Sequence, residues 1–416
     1  MSIKKIISTL KPSATLAINE YSNELLKQGK RIYKLGFGQS PFPVPQEVVN
    51  ELIAHAHEKD YLPVRGLYLL RKAVAAYHSR KINVSTAPED VLIGPGSKEL
   101  LFVAQLCFDG DLIVPAPSWV SYSPQAQITQ KECHWIDTSA NGNKLLDASM
   151  LQTFCLSHPD KRFMVILNYP SNPTGATYTI DQLKAISDVA KQNNLLVISD
   201  EIYGELAHDG EHRSLAEFYP EGTIVSSGLS KWCGAGGWRL GTFTFPKELR
   251  GLSDAMAVVA SETFTATSAP IQYAAVKAFE FGPNIESYLN HARAILKYIA
   301  QYVYTELTSV GLTMPEPEGG FYLFPDFEKF KEKLNKRGIT TSSKLCRTIL
   351  EETGVALLPG VDFGQAPEEL SARLSYVDFD GKKALDVMKK EGRIKDIHQV
   401  APNIVAACQQ LKGWLS

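Results

Sequence analysis

At 416 residues, the chain exceeds the size at which one hydrophobic core usually keeps growing, so two domains are expected. With 44% hydrophobic and 21% charged residues it has the make-up of an ordered globular protein, which excludes a disordered or fibrous chain. A formal net charge of −2 offers no overall attraction to nucleic acid or to an anionic bilayer, and neither partner is expected.

In chain order, the opening "MSIKKIISTLKPSA" has its apolar stretch cut at Lys11 and reads as neither a signal peptide nor a membrane anchor. No later apolar run has the length needed to cross a bilayer. Asn83-Val84-Ser85 matches a glycosylation sequon; without a secretory signal it is taken as coincidence. "GPGSKELLF" (94–102) puts glycines before a helix beginning near Ser97, which makes either an ordinary helix cap or a cradle for a phosphate. "DLIVPAP" (111–117) and "RFMVILNYP" (162–170) are short apolar runs of the kind buried on both faces of a sheet. Trp119 lies just past the first of them, as core or as a platform for a flat ring. "NYPSNPTG" (168–175) is a loop stiffened by two prolines, and it presents Asn172. "TIDQLKAISDVAKQNN" (179–194) has helical spacing behind a capping box of Thr179 and Gln182.

Three more apolar strands follow in "LLVISDEIY" (195–203), "TIVSSGLSK" (223–231) and "LGTFTF" (240–245). Alternation of this kind predicts a mainly parallel α/β sheet with helices on both faces, whose ligands bind beyond the carboxyl ends of the strands. After about Glu286 the texture changes to long helical stretches around "GGFYLF" and "SARLSYV". We therefore expect a large domain over 43–286 and a smaller α+β domain made of 1–42 and 287–416. The six cysteines are scattered with no C-x-x-C pair or metal-ligand spacing, so reduced thiols, a cytoplasmic location and no metal are expected.

The polar residues at these strand ends form a chemical set. Lys231 can form an imine, Trp119 can stack, and Asp200, at the end of its strand, can keep a pyridine nitrogen protonated. Asn172 and Tyr203 can serve a ring oxygen, while Ser97 and Arg239 can bind phosphate. That combination is what pyridoxal 5'-phosphate requires.

The ordered motifs G-S-K, P-x-W, N-P-T-G, D-E-x-Y, S-K with W-R seven and eight residues after the lysine, and a late R-L-S resemble the class I/II aminotransferases of pyridoxal-phosphate fold type I, in register from about Lys34 to Val377. The resemblance implies a large domain with a mainly parallel seven-stranded sheet flanked by helices, and a smaller α+β domain. It implies that Lys231 is the imine-forming lysine and proton shuttle, that Asp200 pairs with the pyridine nitrogen, and that Tyr203 and Asn172 serve the ring oxygen. Trp119 would stack on the ring, and Ser97, Ser230, Arg239 and the backbone N–H of Lys98 would hold the phosphate. Arg373 in "SARLSYV" would grip the substrate α-carboxylate, with Gly38 in "GFGQSPFPVP" as a further substrate contact. Tyr61 would reach the phosphate of a neighbouring subunit, which implies a homodimer with composite sites. Lys98 occupies the position at which an aspartate-aminotransferase subgroup carries a lysine for a distal carboxylate, pointing to aspartate or glutamate with 2-oxoglutarate in a ping-pong exchange.

Two departures bear on the pocket. Gly228 stands where many family members have a phosphate-binding serine, and "WCGAGG" replaces a bulkier segment between the lysine and W-R. Neutral or aromatic substrates, or lyase chemistry on the same fold, remain as alternatives. A nicotinamide dehydrogenase is disfavoured because no G-x-G-x-x-G opens a βαβ unit. A regulatory ligand-binding protein is disfavoured because no basic recognition helix is apparent.

Overall fold

The computed structural model describes residues 3–10, 14–82 and 84–416; Asn83, the acceptor of the sequon, lies outside them, as does Lys11 at the break in the N-terminal apolar stretch. Seven strands form the main sheet: β1 (Val91–Gly94), β2 (Asp111–Ala116), β3 (Cys133–Asp137), β4 (Phe163–Asn168), β5 (Leu196–Asp200), β6 (Thr223–Gly228) and β7 (Gly241–Thr244). They lie in the order β1-β7-β6-β5-β4-β2-β3. β7 runs antiparallel to β1 and β6, and the other neighbours are parallel.

Every residue of β4, β5 and β6 is buried, as expected of strands covered by helices on both faces. The helix Ile180–Gln192 begins with the expected capping box, Thr179 Oγ1 accepting from the Gln182 N–H and the Gln182 side chain accepting from the Thr179 N–H. Two strands have no counterpart in the sequence reading. β1 is four residues long and runs straight into Pro95 and Gly96. β3 buries only Ile136, so it lacks the apolar signature of its neighbours.

A second sheet, of β8 (Tyr322–Leu323), β9 (Leu358–Pro359) and β10 (Ala372–Ser375), is antiparallel in the order β8-β10-β9. The helices Pro283–Ser309 and Ser342–Thr353 accompany it. The longer one buries Ile285, Leu289, Ala292, Leu296, Ile299, Val303 and Leu307, a stripe at three- and four-residue spacing that defines one helix face. Each large aliphatic in such a stripe contributes about 1.5–3 kcal/mol of burial free energy. The N-terminal segment pairs with this part of the chain, the Tyr33 N–H donating to Gly354 O and the Ala356 N–H to Tyr33 O. None of the six cysteines is bridged, and among the described residues no helix is long and apolar enough to cross a membrane.

Candidate active site

The parallel register brings Asn168, Asp200 and Ser226 abreast at the carboxyl ends of β4, β5 and β6. A cavity of about 720 Å³ opens beyond them, lined among others by Ser97, Trp119, Asn172, Tyr203, Lys231 and Arg373. Gly38, Lys98, Asp200, Ser230 and Arg239 complete the convergence, so eleven residues from distant stretches share one space. Tyr61 is the exception. It is 91% exposed, on the surface of the protein, and does not line this cavity.

Asp200 is 2% exposed. Its Oδ2 accepts from the Tyr122 hydroxyl at 2.6 Å and its Oδ1 from the Ser226 hydroxyl at 3.2 Å. Burial pushes its carboxyl up to about 6, against the pull of the Tyr122, Ser226 and Ile202 N–H donors. Desolvation disfavours the charged form and donated hydrogen bonds favour it, so the group is poised to ionise opposite a cation. Asn168 ties the neighbouring loop to this strand end: its Nδ2 donates to Asp200 O at 2.8 Å and its Oδ1 accepts from the Asn172 N–H at 2.7 Å.

Lys231 is half-buried because its amine opens onto the cavity, and its Nζ donates to Gly38 O at 2.6 Å. Burial, reinforced by the Arg373 and Arg239 cations, lowers its pKa to about 8. At pH 7 about one such amine in ten is uncharged, against roughly one in a few thousand for an ordinary lysine. Arg373 is 2% exposed, with Nη1 donating to Asn172 Oδ1 at 3.1 Å and Nη2 to Gly36 O at 2.8 Å. Its buried Nε has no hydrogen-bond partner, a donor left unmet on a residue that lines the cavity. Lys98 keeps part of its surface in solvent, while its Nζ lies 5.0 Å from the centroid of the Trp119 ring. Partial burial, then Arg239, holds this amine below its ordinary range.

Ser97 is the first residue of the helix Ser97–Cys107, and Gly96, not the serine, occupies the cap position at φ 94°. A side chain on Gly96 would sit 2.1 Å from Arg239 Nη2; the bare backbone is what lets the guanidinium lie across the helix start. Gly228 has an equally local reason. A Cβ there would come within 2.6 Å of Leu240 O, so a serine at this position collides with backbone of the adjoining strand. The unusual WCGAGG segment sends its bulk away from the cavity: Trp232, Cys233 and Ala235 are buried in the core, and only Gly236 and Gly237 line the space.

Sequence reasoning passed over Tyr122, Ser226, Tyr322 and Leu16, all of which touch Asp200 or line the cavity. Tyr122 had a legible position, three residues after Trp119 on the helix Tyr122–Ile128. Its partner is 78 residues away, and no local pattern reports that.

Residues 30–380 match the family described as aminotransferase class I and II. The chain is 32% identical over 380 residues to an aspartate aminotransferase of Bacillus sp. (strain YM-2), covering 89% of this chain and 93% of that one. It is 33% identical over 387 residues to the aspartate aminotransferase of Geobacillus stearothermophilus, covering 90% and 94%. Its fold superposes on Thermus thermophilus aspartate aminotransferase with maleate at a TM-score of 0.83 and 29% identity, covering 94% of this chain and 99% of that one.

The fold and these matches make the protein a transaminase dependent on pyridoxal 5'-phosphate. Within that class, the chain belongs to the class I and II aminotransferases.

The cavity fits the cofactor on its own chemistry. Among the described residues, Lys98, Lys231, Arg239 and Arg373 line it against the single carboxylate of Asp200, a balance that favours a phosphorylated, carboxylate-bearing occupant. Because only the uncharged amine can attack an aldehyde, the rate at which apoenzyme is reconstituted should climb with pH and level off just above 8, following the lowered pKa of Lys231. Stopped-flow absorbance at fixed cofactor concentration measures it; a rate still rising tenfold per unit at pH 9 would mean an ordinary lysine.

Proposed function

We propose that the protein exchanges the amino group between aspartate or glutamate and 2-oxoglutarate at this cavity, with each half-reaction completed before the next substrate enters. The observation that carries the reading is the cationic lining, with Lys98 and Arg373 both reaching a cavity whose only carboxylate among the described residues is Asp200. Two cations beyond those needed for a phosphate suit a substrate with two carboxylates. The Thermus thermophilus relative solved with maleate, a four-carbon dicarboxylate, supports the same class.

In this reading Ser97, Ser230, Arg239 and the Lys98 N–H bind the cofactor phosphate, Trp119 covers its ring, and Asn172 and Tyr203 donate to its ring oxygen. Asp200 holds the proton on the pyridine nitrogen. The bound cofactor supplies an electron sink for the substrate α-carbon. Arg373 fixes the α-carboxylate with its planar fork, and Gly38 closes against the substrate backbone. Lys231, whose Nζ reaches the cavity, would hold the cofactor and serve as the base that carries the α-proton.

Tyr61, so exposed in the single chain, fits a homodimer in which it reaches the partner's phosphate and completes a composite site. The segments 1–42 and 287–416 would act as the smaller domain against a body of 43–286. A cytoplasmic enzyme whose ligands are amino and oxo acids, with neither nucleic acid nor membrane as partner, is consistent with the chain's charge and helices.

Lys98→Ala tests the substrate. The kcat/KM for aspartate should fall roughly 10- to 100-fold, the loss of one charge-assisted contact, while that for alanine stays within about threefold. Half-reaction screening of the unaltered enzyme by absorbance supplies the control. Aspartate and glutamate reacting no better than alanine or phenylalanine would end the dicarboxylate assignment.

A further inference from the structure

Tyr322, the second aromatic of "GGFYLF", reads from sequence as a strand residue and no more. In the fold it is 1% exposed and lines the cavity from β8. Three pieces of the site meet on it. Its hydroxyl lies 2.9 Å from the Tyr203 hydroxyl. Its ring lies under the Arg373 guanidinium, 4.6 Å from Cζ to the centroid. Its oxygen also faces the Gly38 Cα so closely that a side chain on that glycine would approach it to 2.5 Å, and Gly38 is the residue whose carbonyl receives the Lys231 amine.

We propose that Tyr322 is a positioning residue with two separable duties, its hydroxyl aiming the Tyr203 proton and its ring fixing the direction of the Arg373 fork. The proposal rests on the assignment of this cavity to cofactor and substrate given above. A phenol has one proton to donate. When Tyr203 accepts from Tyr322, its own proton is committed to the cavity, where Tyr203 serves the ring oxygen. When the Tyr322 hydroxyl is missing, the Tyr203 hydroxyl is free to rotate and its donation weakens. The ring acts separately. Arg373 lies over the Tyr322 ring and also over that of Phe363, whose centroid lies 5.2 Å from Cζ. Aromatic faces against a desolvated, intrinsically planar guanidinium fix the direction in which its fork points. β8 and β10 are hydrogen-bonded neighbours, with Ser375 opposite Tyr322, so the sheet sets this stack.

Two variants separate the duties. Tyr322→Phe keeps the ring and removes the hydroxyl. The pH midpoint of the holoenzyme's cofactor absorbance should rise by on the order of 0.5–1 unit, one lost hydrogen bond to the ring oxygen. The kcat should fall severalfold and the KM for the amino acid should stay within about twofold, because Arg373 is untouched. Tyr322→Leu removes the ring as well and should in addition raise that KM by roughly tenfold.

Tyr203→Phe is the reference. The double variant Tyr203→Phe/Tyr322→Phe should show the absorbance midpoint of Tyr203→Phe alone, since the second hydroxyl acts only through the first. Additive shifts, or a Tyr322→Phe titration identical to the unaltered enzyme, overturn the positioning role. A silent Tyr203→Phe overturns it together with the assignment of the cavity, and so tells the two failures apart. Melting temperatures of the holoenzymes confirm that each variant folds.

Discussion

Replacing Lys231 with alanine should abolish transamination, with a loss of at least about 10⁴-fold in turnover, while leaving a folded protein that still retains the cofactor through its phosphate contacts. The size of the effect follows from the number of duties that one nitrogen carries. In the proposed reading it would hold the cofactor, yield to the substrate amine and carry the α-proton, and the other charged groups of the cavity are committed elsewhere. Asp200 is pinned by Tyr122 and Ser226. The Lys98 amine lies over Trp119, and Arg373 is never a base at working pH.

The environment of Lys231 explains why this lysine is suited to the work. Lys231 sits among the Arg373 and Arg239 charges with its pKa brought down to about 8. It is held by the Gly38 carbonyl, which accepts a hydrogen bond but neutralises no charge. Borohydride reduction of the holoenzyme followed by peptide mapping should place the label on Lys231, and the alanine variant should carry none. A label on any other lysine would undo the assignment.

What the sequence made legible, and what it left hidden, follows from how far each signal travels along the chain. The carboxyl ends of β4, β5 and β6 could be read because each strand is an apolar run with a polar residue at its close, so Asn168, Asp200 and the approach to Lys231 announce themselves locally. β3 could not, since it buries only Ile136 and offers no run. The site behaves alike. Ser97, Asn172 and Arg239 stand in motifs whose glycines and prolines mark them out, whereas Tyr122 and Tyr322 become visible only when the chain has folded across separations of 78 and 119 residues to bring them to Asp200 and Tyr203. Gly228 shows the reverse case. From sequence it looked like a missing phosphate donor, and in the fold it is a position where the Leu240 carbonyl leaves no room for a side chain.

The second large effect belongs to Asp200. Asp200→Asn keeps the shape of the side chain, yet an amide cannot hold a positive charge on the pyridine nitrogen. Turnover should fall by at least about 10³-fold, the scale of losing a preorganised electrostatic contact in a dry site. The KM should move far less, because Arg373 and the phosphate contacts are elsewhere. Tyr122 grades the effect. Burial raises the Asp200 carboxyl to about 6, and the Tyr122 hydroxyl is the foremost of the groups resisting that rise. Removing it in Tyr122→Phe takes a donor from the charged form and pushes the carboxyl higher still. With the ionised carboxylate as the working form in the proposed reading, activity should be lost as pH falls through that value, so the acidic limb of the kcat/KM profile should move to higher pH in Tyr122→Phe. Near pH 8, where Asp200 is ionised with or without its donor, the variant should lie within about tenfold of the unaltered enzyme. An acidic limb that stays in place would show that another group sets it. An Asp200→Asn enzyme with near-normal turnover would show that the electron sink does not depend on this carboxylate.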